Sequence, residues 1–264
     1  MKIYDLKGRL AIVRKNFDGR ITVAGDIHGD FKSFERIRNV FMQGRDQLLV
    51  FLGDYADRGS EGLEVVEGVK ELLKKFEDRI IALKGNHEDY LDGVPRFSPC
   101  DLPREVERKR HVKWEDFFNE FKREFLEKLY LAVLIPSFAL LIHGGISSKI
   151  SGVKDLESPS SEVEEDVLWS DPYEGEGEYP NFRGAGVIFG RDISEKIARR
   201  IGIKYILRGH EPRKAIGGPC VEHSGRVFTI SSTRVYGGRP FVMSFKPQED
   251  LTVARLLKGV EYLS

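Results

Sequence analysis

Apolar positions follow two periods through the first ninety residues of this chain. Short apolar runs at residues 10–13, 21–24, 48–52 and 80–83 have the length of strands. Residues 31–41 instead place Phe31, Phe34, Ile37, Val40 and Phe41 at spacings of three and four, and residues 63–76 repeat that helical period. Asp30 stands where a carboxylate caps a helix N-terminus, and Ser60 or Gly59 opens the second helix. Phe17-Asp18-Gly19, between 10–13 and 21–24, predicts a hairpin turn. The β-α-β-α-β order predicts a parallel sheet with helical crossovers, and the unbroken run 48–52 predicts a strand covered on both faces.

The pattern changes from about residue 90. Pro95, Pro99 and Pro103 punctuate a stretch that becomes highly charged over residues 104–113, and residues 114–129 then predict an amphipathic helix. Residues 138–142 return to strand pattern, whereas 151–178 are rich in Ser, Pro and Glu and read mostly as loop. A helix over 193–201, a strand over 205–207 and short β-like runs after residue 221, with a turn at Ser224-Gly225, complete the expectation. No repeat or linker divides the chain, so one domain over 1–264 is expected, with a charged helical insertion at about 90–129.

Composition narrows the function classes. With 264 residues, 41% of them hydrophobic, the chain can bury a sizeable core, which excludes a disordered segment and a stapled mini-protein. Forty-two basic residues balance 42 acidic ones, so a general nucleic-acid binder is not expected. Cys100 and Cys220 are too few for a disulfide framework and too far apart for a close-spaced metal pair. The first residues lack an apolar export segment, and the apolar stretch 131–142, broken by Pro136 and Ser137, is shorter than the ~20 residues that span a bilayer. No membrane partner and a cytoplasmic location are expected; the oligomeric state is not legible.

Candidate chemistry sits after the strands. Gly25-Asp26-Ile27-His28-Gly29 follows 21–24, Gly53-Asp54-Tyr55-Ala56-Asp57-Arg58-Gly59 follows 48–52, and Gly85-Asn86-His87-Glu88 follows 80–83. His143-Gly144-Gly145 follows 138–142 and Arg208-Gly209-His210 follows 205–207. Ligand sites of parallel α/β sheets lie beyond the carboxyl ends of strands, so the five loops should converge on one crevice. A lone Asp after a strand is ordinarily a turn residue and a lone His ordinarily a core side chain. Here, however, four of six histidines fall at strand ends beside glycine. The donors are oxygen and imidazole nitrogen without thiolate, a set suited to manganese, iron or zinc. Asp26, His28, Asp54, Asn86, His143 and His210 would fill two metal sites with one carboxylate shared. Two divalent ions, less two carboxylates and a hydroxide, leave a net positive charge that favours an anionic substrate such as a phosphate ester. Arg58 adds a bidentate phosphate donor.

These motifs, GDIHG, GDYADRG, GNHE, HGG, LWSDP and RGH in this order, resemble the phosphoprotein phosphatase family of metal-dependent serine/threonine protein phosphatases, within the calcineurin-like metallophosphoesterases. The likeness runs from about residue 21 to 238. It implies an α/β fold, a sandwich of two mixed sheets flanked by helices, with two divalent ions, manganese first, iron or zinc as alternatives. By position, Asp26, His28 and a bridging Asp54 resemble the ligands of the first metal; Asp54, Asn86, His143 and His210 resemble those of the second. His87 resembles the general acid and Asp57 its partner; Arg58 and Arg183 resemble the phosphate-binding arginines, and Tyr236 a family tyrosine near the site. The implied reaction is direct hydrolysis of phosphoprotein or phosphopeptide monoesters by a metal-bridging hydroxide. Pro212 stands where many related diesterases carry His. Residues 231–236 depart from the pattern of eukaryotic members. Residues 90–113 do not match either; they would cover the cleft, contact substrate or form a solvated helical hairpin. Dinucleoside polyphosphate hydrolysis, of diadenosine tetraphosphate for instance, is the alternative function, and an inactive binding module on the same scaffold a third.

Overall fold

The computed structural model describes residues 3–247 and 251–263. The chain opens with β1 (Tyr4–Lys7), β2 (Leu10–Val13), β3 (Arg20–Ala24), α1 (Phe31–Met42), β4 (Gln47–Phe51), α2 (Gly62–Lys75) and β5 (Ile80–Ala82). It continues with α3 (Leu102–Arg110), α4 (Trp114–Glu124), β6 (Ala132–Ile135), β7 (Ala139–Ile142), α5 (Lys154–Glu157), α6 (Ser161–Trp169) and α7 (Arg191–Ile201). It ends with β8 (Tyr205–Arg208), β9 (Cys220–Glu222), β10 (Val227–Thr229), β11 (Phe241–Phe245), α8 (Val253–Lys258) and β12 (Val260–Tyr262).

Two mixed sheets carry these strands, seven in the order β1-β2-β6-β7-β8-β10-β9 and five in the order β12-β11-β3-β4-β5. The run 48–52 shows how they pack. Side chains alternate along a strand, so Leu48, Val50 and Leu52 enter the core between the sheets while Leu49 and Phe51 face the helices. The inter-sheet core joins Val23, Val50 and Ile81 to Val133, Leu141, Leu207 and Phe228. On one outer face Phe34, Ile37 and Phe41 of α1 and Val65, Val66 and Val69 of α2 pack over the five-stranded sheet, with α4 adding Phe118 and Phe121. On the other, Val163 and Val167 of α6 and Ile193 and Ile197 of α7 cover Leu140, Ile142 and Ile206. The result is the helix–sheet–sheet–helix sandwich expected of the class. Among the described residues no helix is long and apolar enough to cross a membrane.

Strand register places the site. Ala24 pairs with Phe51 and Phe51 with Ala82, all in parallel, so three loops leave the sheet at one edge. In the seven-stranded sheet β7 and β8 are likewise parallel, Leu141 opposite Leu207. A parallel bridge between Asp26 and Ser231 ties the first of these loops to the segment after β10.

Three expectations are corrected. Residues 10–13 and 21–24 form no hairpin: β2 pairs with β1 and β6 in one sheet, β3 with β4 and β11 in the other. Phe17-Asp18-Gly19 carries the chain between sheets, because Ile21–Ala24 are buried on both faces and need neighbours on both edges. The hairpin instead joins β1 to β2, where Gly8 has φ +56° and any Cβ would run into the Glu157 carbonyl. Residues 151–178 are not mostly loop; the Ser160 hydroxyl caps α6 by accepting from the Val163 amide, and the helix buries Val163, Val167 and Leu168. The helix at 114–129 stops at Glu124 and passes into a 3-10 turn at Leu126–Lys128. Asp30 caps α1 as expected, accepting from the Ser33 amide, and α2 begins at Gly62, just after Gly59 and Ser60, with a flanking Glu61 that makes no side-chain cap bond.

Candidate metal centre

The loops reach one point because glycines let them turn in contact with each other. Gly53 leaves β4 at φ +111°, and a Cβ there would lie 2.6 Å from the Gly85 amide nitrogen. Behind it His28, Asp54, Asp57, Arg58 and His210 all hold left-handed backbone, φ between +50° and +69°. Such a conformation costs a non-glycine residue about 1 kcal/mol or more, and here backbone bonds lock it. The Asp54 carbonyl accepts from Ile27 and His28, and the His28 carbonyl from Gly59.

The donor atoms form two groups that share Asp54. Ligand-capable atoms of His28, Asp54 and His87 lie within 4.8 Å of one another, as do those of Asp54, His143 and His210. Asp26 stands beside the first group, its Oδ2 3.8 Å from His28 Nε2. Asn86 joins the second, its Oδ1 3.0 Å from both His143 Nε2 and His210 Nδ1. The six residues expected as ligands are therefore together, and all are buried. The geometry adds His87 to the first group.

The proton positions show that a cation fits. His143 Nδ1 donates to the Leu52 carbonyl, which leaves Nε2 a lone pair facing Asn86 Oδ1 and, at 3.3 Å, Asp54 Oδ1. His28 Nδ1 donates to the Ala56 carbonyl, leaving Nε2 turned to Asp54 Oδ2 at 3.3 Å. With the carboxylates ionised, acceptors thus face acceptors, a repulsion that a bound cation relieves. Asp26 Oδ2 and His210 Nε2 are buried without a hydrogen-bond partner. Burial holds His28, His143 and His210 well below the ordinary histidine range, so their imidazoles are neutral and free to ligate. Burial, then the charges of Asp26 and Glu88, drives Asp54 well above the carboxylate range. This set of mutually repelling acids and neutral imidazoles suits divalent ions of the manganese, iron and zinc group.

Metal-free stability should carry the mark of that repulsion. Burial pushes Asp26 up to about 7, so the folded protein retains a proton that the unfolded chain releases near its ordinary value of 3.8. The Asp26 contribution to the stability of the metal-free protein then falls as pH rises through that window, opposite in sign to that of the neutral histidines, and a cation taking the proton's place cancels the Asp26 loss. The rise in melting temperature produced by Mn²⁺ over chelator is therefore expected to be larger at pH 8 than at pH 5.5. The difference should be several degrees, given about 2–4 °C per kcal/mol for a chain of this size. Equal rises at the two pH values would contradict it.

Around the donors stand the other expected residues. His87 Nδ1 bonds Asp57 Oδ2 at 2.7 Å, and burial, opposed by that bond, lowers the imidazole pKa. Arg58, Arg183 and Tyr236 line a cleft of about 1200 Å³ into which His28, Asn86, His87 and His210 also open. Tyr236 meets the His28 ring edge-on at 5.5 Å between centroids. Arg183 Nε donates to Asp171 Oδ2, which also accepts from Asn181 Nδ2. Burial would raise Asp171, but Arg208, His210 and Arg183 hold it well below the carboxylate range.

Two acids inside the motifs have structural roles that their spacing did not reveal. Glu88 accepts from the amides of Asp54, Tyr55 and Gly85 and so welds two site loops together. Asp171 anchors both Arg183 and the fully buried Arg208. A charged side chain amid apolar strand ends was the available signal in each case. Of the two remaining histidines, His111 is exposed at the end of α3 and His223 bonds Ser194 and the Tyr173 carbonyl, both outside the cleft.

Comparison with known proteins agrees with this geometry. Residues 19–214 match the calcineurin-like phosphoesterase family. A probable serine/threonine-protein phosphatase of Encephalitozoon cuniculi is 29% identical over 234 residues, 86% of this chain and 50% of that protein. Serine/threonine-protein phosphatase T of Saccharomyces cerevisiae is 31% identical over 229 residues, 83% of this chain and 42% of its own length. The chain thus spans half or less of these curated relatives. Among solved structures, a protein serine/threonine phosphatase from Saccharomyces cerevisiae superposes with a TM-score of 0.77 at 27% identity, covering 97% of this chain and 82% of the other. With three quarters of its residues inside the family match and the donor loops in the family order, the chain belongs to the calcineurin-like phosphoesterases.

Proposed function

We propose that this chain is a phosphomonoesterase acting on phosphoserine and phosphothreonine in proteins. Two Mn²⁺ ions would be held by Asp26, His28 and Asp54 on one side and by Asp54, Asn86, His143 and His210 on the other. The observation that carries the reading is the pair of acceptor-only clusters sharing Asp54 beside a His87–Asp57 pair at the floor of a cleft bearing arginines. The names of the relatives support the substrate class.

When bound, two divalent ions would supply an activated water and neutralise charge on the transferring phosphate. The chain's own residues do the rest. Arg183 is held through Nε by Asp171, so its terminal nitrogens remain for phosphate oxygens. Arg58 reaches the same cleft. In its imidazolium form, which the Asp57 carboxylate favours against burial, His87 donates Nδ1–H to Asp57 and is oriented so that Nε2–H can pass to the leaving oxygen, leaving a neutral imidazole. Tyr236 closes the side of the cleft next to His28.

Phe97 is spoken for, packed on the His87 ring at 4.5 Å and 7% exposed. A dinucleotide hydrolase would need an aromatic or apolar slot for its base; for that second reading the cleft offers the exposed Phe182 and the half-buried rings of Trp169 and Tyr236. Values of kcat/KM for several phosphopeptides and for diadenosine tetraphosphate at one Mn²⁺ concentration separate the two. Unrelated phosphopeptides should fall within about tenfold of one another, ~1.4 kcal/mol in transition-state binding, with the dinucleotide poorer. A dinucleotide value a hundredfold above every peptide would reverse the substrate class.

A further inference from the structure

Helix α3 lies in the stretch that does not match the family motifs, and its first turn touches the proton-donating pair. Asp57 Oδ1 accepts from the backbone amides of Asp101 (2.6 Å) and Leu102 (2.9 Å), which leaves Oδ2 for His87. In return Asp101 Oδ2 accepts from the Arg58 amide at 3.1 Å. One turn further on, Glu105 accepts from the amides of Gly62 (3.1 Å) and Leu63 (3.2 Å). Those are two of the orphan donors at the start of α2, the helix that lacks a side-chain cap of its own. Five carboxylate–amide bonds therefore run in both directions between residues 57–63 and residues 101–105.

The brace is built closely. Glu105 is 5% exposed, and a Cβ on Gly62 would meet its Oε2 at 3.0 Å. Lys109 Nζ lies 2.6 Å from Glu105 Oε1, donates to Glu64, and bonds the Ser60 carbonyl at 3.0 Å. The segment so held includes Asp57 and Arg58, both in left-handed backbone that needs outside support.

We propose that Glu105 is a positioning residue for the Asp57–His87 pair: by fixing α3 to the start of α2 it sets where the α3 amides hold the Asp57 carboxylate. This rests on the reading of His87 as proton donor. The role assigns the 101–105 segment to the catalytic apparatus, whereas residues 95–98 line the cleft wall.

The test uses leaving groups. A proton donor matters greatly for the alkoxide of phosphoserine and little for nitrophenolate. With the manganese-loaded full chain, kcat is measured on a phosphoserine peptide and on p-nitrophenyl phosphate for the parent, Glu105→Gln, Asp101→Ala, His87→Asn and the His87→Asn/Glu105→Gln double variant. Glu105→Gln should lower kcat on the peptide about tenfold while leaving nitrophenyl phosphate within about twofold. Asp101→Ala, at a more accessible position, should show the same selective loss to a smaller extent. His87→Asn should show a larger one, and adding Glu105→Gln to it should bring no further selective loss. If His87→Asn is selective but Glu105→Gln and Asp101→Ala slow both substrates equally, or their effects add to it, the brace is merely structural and the proposal falls. If His87→Asn is itself unselective, the proton-donor reading fails and the proposal with it.

Discussion

Asp54→Asn is expected to empty both metal sites and bring turnover to background. Asp54 presents Oδ1 to His143 and Oδ2 to His28, so one substitution alters both groups. An asparagine would aim an N–H at one of them and remove the shared negative charge from the other. Residues that merely orient a ligand change metal affinity by up to about 10²-fold, and loss of a shared ligand should exceed that. The fold should survive, because the carboxylate being removed is one that burial and its acidic neighbours already oppose. In excess chelator the variant should melt no lower than the parent. A variant that keeps metal and activity would show that the two groups do not share this residue.

His87→Asn should behave differently. It is expected to lower kcat on a phosphoserine peptide by ~10²–10⁴, the range for loss of a general acid, with metal content unchanged. The structure leaves two roles open to this side chain, since its donor atoms also group with those of His28 and Asp54. Its Nδ1, however, is committed to Asp57 at 2.7 Å, and Asp57 is held in turn by the α3 amides. Elemental analysis of the variant separates the roles: retained metal supports the proton donor, whereas loss of metal would make His87 a ligand.

The site was legible because its signal is local. Each donor follows a short apolar strand and is flanked by glycine, so strand period and motif together located the six donors that the sheets bring to one edge. The parallel pairing of β3 with β4 and of β4 with β5 followed from the same alternation of strand and helix. What lay outside local pattern was missed. Whether residues 10–13 and 21–24 share a sheet depends on β6 and β11, more than a hundred residues away in sequence, and a turn signal at Gly19 says nothing of them. Helix α6 was hidden because the stretch around it, 151–178, is rich in Ser, Pro and Glu, while Val163, Val167 and Leu168 anchor it. Glu105 read as one charge among many over residues 104–113; only the fold shows it turned inward to cap a helix forty residues earlier.

The central claim is that two cations occupy the buried acceptor clusters and are required for hydrolysis. Titrating the chelated protein with Mn²⁺, while following phosphopeptide turnover and bound metal per chain by elemental analysis, addresses it most directly. Two equivalents bound per chain, with activity absent at none and restored as the sites fill, is the expected result. Full activity in excess chelator with no metal bound would contradict it.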